Sequence, residues 1–105
     1  MDVHKNTDYH AFVAAYASLV PDKYEVDRKN PHRLLNKEPG NYSDVINTYL
    51  DWSFQDLVLG HNDGMTGDDI AGEWLLSTTS TRRLWGRAWL MLPVSVRSKY
   101  KLVGG

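Results

Sequence analysis

The chain contains no cysteine. That removes both a disulfide framework and a thiolate metal site. Long apolar runs are absent too. The longest, Leu84 to Val94, is broken by Gly86, Arg87 and Pro93, far short of the roughly 20 residues a membrane-spanning helix requires. The N-terminus, Met1-Asp2-Val3-His4-Lys5, is polar and shows no signal-peptide core. A cytoplasmic protein without a transmembrane segment is the expectation. Asn41-Tyr42-Ser43 has the form of a glycosylation sequon, read as coincidental without a secretory signal.

Two further absences are local. Between residues 41 and 80 there is no Lys or Arg beside seven acids, and after residue 80 there is no acid beside six bases. The net charge of -1 conceals this division. Such asymmetry predicts an acidic and a basic surface, which either face each other within the fold or face different partners.

What the sequence does contain is helical periodicity. Tyr9, Phe12, Val13, Tyr16, Leu19 and Val20 recur at intervals of three and four, which predicts a helix over Asp8–Val20, capped by Thr7 or Asp8 and stopped by Pro21. Residues 21–42 are polar and hold Pro21, Pro31, Pro39 and Gly40, so they read as loop with a short helical turn at Pro31–Asn36. Ser43 caps a second expected helix, Asp44–Leu59, whose stripe is Val45, Ile46, Tyr49, Leu50, Phe54, Leu57 and Val58, ended by Gly60. Thr66 or Gly67 opens a third, Asp68–Leu76, with Ile70, Trp74 and Leu75 inward. A fourth runs from Thr81 to Leu92 and is halted by Pro93. In the tail, Val94, Val96, Tyr100 and Leu102 alternate with polar residues, which suggests a short C-terminal strand, with an extra helical turn as the alternative. At 105 residues the expectation is a single, mainly α domain, a compact bundle of about four helices.

Motifs that carry chemistry are scarce. His4, His10, His32 and His61 never adopt metal-ligand spacing and read as surface or capping residues. The 61–69 loop holds Asn62, Asp63, Gly64, Asp68 and Asp69. Aligning Gly64 with the invariant Gly of an EF-hand puts Leu59 and Ile70 at the first and last ligand positions, where neither can bind calcium. Asp68 and Asp69 are adjacent, so on a helix they diverge and serve as N-terminal charge rather than as a catalytic pair. No nucleophile elbow or phosphate-binding loop occurs. A non-catalytic protein is expected, with no metal and no cofactor.

Residues 66–92 resemble a helix-turn-helix: two helices around a tight turn, with the small Ala71 inside the first. That resemblance implies that the second helix enters the major groove and that Ser77 to Arg83 contact phosphates and bases. The segment departs from the pattern in two ways. Leu75-Leu76 stands where the turn usually has Gly, and the second helix is apolar around most of its circumference. The terminus Lys101-Leu102-Val103-Gly104-Gly105 resembles that of ubiquitin-like and sulfur-carrier proteins, which implies a β-grasp fold. The helical pattern over residues 8–92 contradicts that implication.

Four tryptophans and six tyrosines exceed what a small core readily hides, and such rings are enriched at interfaces. Trp52 falls off the apolar stripe of its helix. The leading expectation is a protein-binding module, a small regulator, adaptor or inhibitor of a larger protein, using Trp52, Trp85 and Trp89. The alternative is a nucleic-acid-binding regulator using Arg82, Arg83, Arg87, Arg97, Lys99 and Lys101.

Overall fold

A computed structural model of the chain describes residues 3–39, 43–59 and 64–100. Gly60, His61, Asn62 and Asp63, Lys101, Leu102 and the Gly104-Gly105 terminus lie outside these residues, as do Asn41 and Tyr42 of the sequon.

A 3-10 turn at Val3–Lys5 leads into α1 (Thr7–Leu19). The cap of α1 is Asn6, whose side chain accepts from the Asp8 amide at 2.8 Å, one residue before the expected Thr7 and two before the expected Asp8. Tyr9, Phe12, Val13 and Tyr16 bury the predicted face. The segment expected to be loop instead forms a hairpin of β1 (Tyr24–Val26) and β2 (Leu34–Asn36), antiparallel with Glu25 opposite Leu35. The helical turn expected at Pro31–Asn36 is therefore corrected: its last three residues form β2, preceded by the hairpin turn. Two side-chain devices hold the hairpin, one local and one from the helix that follows. Asp27 accepts from the Lys29 amide and the Asn30 side chain at the hairpin end. Asn47 pairs with both backbone groups of Leu34, accepting its N–H at 2.8 Å and donating to its carbonyl at 3.2 Å.

Helix α2 (Ser43–Leu59) follows, then α3 (Gly67–Leu75), α4 (Ser80–Leu90) and a four-residue α5 (Val94–Arg97) continued by a 3-10 turn to Tyr100. Helix α3 opens on a reciprocal capping box: the Asp69 amide donates to the Thr66 hydroxyl, and the Thr66 amide donates to the Asp69 carboxylate. At the C-terminus the helical alternative holds. Residues 94–100 form helical turns rather than the expected strand, and the Pro93 carbonyl accepts from the Val96 and Arg97 amides. The fold is mainly α and compact, with a radius of gyration of 13.4 Å.

Trp89 lies at the centre of the core, fully buried. Its ring packs 6.2 Å from Phe54 and 6.0 Å from Tyr100, while Phe54 meets Tyr9 and Phe12. Its indole N–H donates to Asp68 at 2.8 Å, and the other oxygen of Asp68 pairs with Arg97 at 2.9 Å. Tyr100 donates to Asp8 at 2.6 Å, beside Lys99 at 3.4 Å. Two acids thus tie the C-terminal turns onto the helices.

Helices α3 and α4 cross closely because Gly86 has no side chain. A Cβ there would lie 2.7 Å from the Ala71 carbonyl oxygen, whereas a Cβ at Gly72 would meet nothing. Gly86→Ala is expected to destabilise, because the clash with rigid backbone (about 1–3 kcal/mol) outweighs the helical gain of about 1 kcal/mol. Gly72→Ala takes that gain without a clash and is expected to stabilise. Urea unfolding of the pair would read opposite shifts in midpoint, and a stabilised Gly86→Ala would contradict the close crossing.

Candidate protein-binding face

Helix α2 carries two apolar stripes where the sequence suggested one. Ile46, Leu50, Phe54 and Leu57 face the core. Val45, Tyr49 and Trp52, at intervals of four and three, form a second stripe that faces outward. The assignment of Val45 and Tyr49 to the core is corrected accordingly. The inner stripe already fills the space against α1 and Trp89. Trp52 is 60% exposed.

This outer stripe meets α4. Tyr49 lies 5.7 Å from Trp52 and 6.4 Å from Trp85, and Trp85 stands edge-on to Trp74 of α3 at 5.5 Å. Four rings from three helices thus form a continuous array, exposed at the Trp52 end and half-buried at Trp85 and Trp74. Between α2 and α4 lies a cleft of about 320 Å³ lined by Tyr49, Trp52, Ser53, Asp56, Arg82 and Trp85. The Trp85 indole N–H is buried without a hydrogen-bond partner.

The expected interface residues therefore separate. Trp52 and Trp85 come together. Trp89 is removed from the set: it has no exposed surface, because α4 turns it into the centre of the core. Tyr49 was missed. Its spacing of three from Trp52 was the available signal, masked by its fit to the inward stripe.

The basic residues separate as well. Arg97 and Lys99 are ion-paired with Asp68 and Asp8. Arg82, Arg83 and Arg87 stay exposed on α4, and Arg83 donates to the Ser77 carbonyl at 2.8 Å. Lys101 lies outside the described residues.

A second concavity, of about 320 Å³, is polar and joins the N-terminal turn, the hairpin and α2. His4 stacks on His32 with ring centroids 4.4 Å apart, and His4 lies 3.6 Å from Asp51. The His10 ring nitrogen meets the His4 carbonyl at 2.8 Å. Sequence spacing hid this gathering of three histidines, because they come from three separate elements. The Thr48 hydroxyl there donates to the Asp44 backbone carbonyl, so it forms no nucleophile–base pair. Among the described residues no group of His, Asp or Glu is arranged to hold a metal ion.

Burial lowers the pKa of His32 from its ordinary 6.5, followed by the charges of His4, His10 and Arg33. A base depressed in the fold binds fewer protons than the unfolded chain just below its ordinary pKa. Stability is therefore full above that value and declines as pH falls through it. Thermal unfolding followed from about pH 7.5 to about pH 5.5 is expected to show a falling midpoint, and His32→Asn should flatten that decline. An unchanged slope in the variant would assign the pH dependence elsewhere.

No described helix is long and apolar enough to cross a membrane. Compared with protein-family models, curated proteins and solved structures, the chain matches none.

Proposed function

We propose that this chain is a non-catalytic protein-binding module, a small regulator, adaptor or inhibitor that docks on a larger protein through the Tyr49–Trp52–Trp85 face. The observation that carries this reading is Trp52, a large ring left mostly in water and backed by other rings. Binding centres commonly pair an aromatic anchor with a polar rim, and here Asp56 and Arg82 supply the rim. The unpartnered Trp85 N–H adds a donor next to the cleft, one that a small ring movement would offer to a partner's carbonyl.

The nucleic-acid reading retains Arg82, Arg83 and Arg87 but loses Arg97 and Lys99 to internal ion pairs. With fewer cations available for phosphates, it ranks second. The test is affinity capture with the wild-type chain and Trp52→Ala in parallel, each eluate treated with nuclease. A protein recovered by the wild type alone supports docking through this face. Identical eluates, or a signal abolished by nuclease, would sink it.

A further inference from the structure

A separate surface lies at the corner between α3 and α4 and shares no lining residue with the Trp52 cleft. Leu75, Ser80, Arg83, Leu84 and Arg87 enclose a cleft of about 380 Å³. Next along the chain from Leu75, Leu76, the first residue after α3, is 86% exposed, the most exposed large apolar side chain among the described residues. A leucine placed so openly gains nothing from the fold itself.

The charges at this corner are equally uncommitted. Among the described residues no carboxylate pairs with Arg83 or Arg87. The contrast with Arg97 and Lys99, both held by acids, is internal to the same basic quarter of the chain. Arg83 is also oriented, since one of its terminal nitrogens donates to the Ser77 carbonyl and the rest of the guanidinium fork remains available. Arg83 and Arg87 stand one helical turn apart on α4, about 6 Å along its axis. Two carboxylates at the same i, i+4 spacing on another helix match that separation.

We infer that this corner is a second docking site, and that its occupant is an acidic amphipathic helix of a partner protein. Two glutamates or aspartates one turn apart pair with Arg83 and Arg87, and an apolar side chain between them enters the Leu75–Leu84 cleft and covers Leu76. Charge complementarity sets the sign of the partner, and the exposed leucines set its apolar character. A phosphate backbone satisfies the arginines but leaves both leucines uncovered, which is why a protein helix is favoured over nucleic acid here.

The probe is a short synthetic helix carrying Glu at i and i+4 and Leu at i+3 and i+7, titrated into the isotopically labelled protein. Amide shifts are expected to cluster at residues 75–87, with no change in affinity for Trp52→Ala. Replacing both peptide glutamates by glutamine, or making Arg83→Glu with Arg87→Glu, is expected to weaken binding at least about tenfold. If the charge-reversed protein fails to fold, Arg83→Gln with Arg87→Gln reads the same contrast. Three results would overturn the inference: no shifts at this corner, equal binding of poly-glutamate lacking leucine, or equal binding of single-stranded DNA. Because Trp52 takes no part, its behaviour in the capture experiment stands or falls independently.

Discussion

Trp89→Ala is expected to remove most of the stability of this protein, about 3–5 kcal/mol, where domains of this kind commonly have about 5–15 kcal/mol in total. The side chain is fully buried and packs against Phe54 and Tyr100. Its edge also contacts the backbone at Gly67, where a Cβ would lie 2.6 Å from the ring. Those surroundings come from α2, α3 and the C-terminal turn, so no single element can collapse into the space. The Asp68 carboxylate, which accepts from both the indole N–H and Arg97, also loses the indole donor. Trp89→Phe loses that hydrogen bond, at about 1 kcal/mol, and part of the ring beside Gly67, so its stability is expected to fall between wild type and Trp89→Ala. Urea unfolding of the two variants separates the contributions. A loss under about 1 kcal/mol in Trp89→Ala would show that the core does not close around this ring.

Trp52→Ala should behave in the opposite way. The side chain is mostly exposed, so unfolding free energy is expected to stay within about 0.5 kcal/mol of wild type. Affinity for the protein captured through this face is expected to fall by about 2 kcal/mol or more, roughly thirtyfold. Calorimetric titration of the isolated partner with both chains reads that difference. Equal affinities would leave Trp52 outside the contact, and a large stability loss would make it part of the core. The two tryptophans share a residue type and differ only in where their helices point them, so the pair tests the structural argument directly.

Much of the helical architecture was legible along the chain. The 3.6-residue recurrence in α1 and the start of α3 at Thr66 depend on neighbours a few positions apart, and Pro21 and Pro93 mark ends by local chemistry alone. The hairpin was not legible. Its strands are three residues long, too short for alternation to register, and β2 is anchored by Asn47, which lies 13 positions from Leu34. The tail misled for a related reason. Val94, Val96 and Tyr100 do alternate, but Arg97 and Tyr100 reach Asp68 and Asp8, 29 and 92 positions away. Those contacts accompany helical turns in place of an extended strand.

By itself the sequence determined the mainly helical class, the ends of the principal helices, the absence of cysteine chemistry and the unequal distribution of charge. All of these rest on composition or on interactions within a few residues. Only the tertiary structure decided which aromatic rings are buried and which are exposed. It also decided which bases are neutralised and which remain available, and that His4 and His32 stack in one pocket with His10 against the His4 carbonyl. Burial and ion pairing are properties of surfaces brought together from distant positions. A ring on α2 or α4 therefore becomes core or interface only once the neighbouring helix has taken its place.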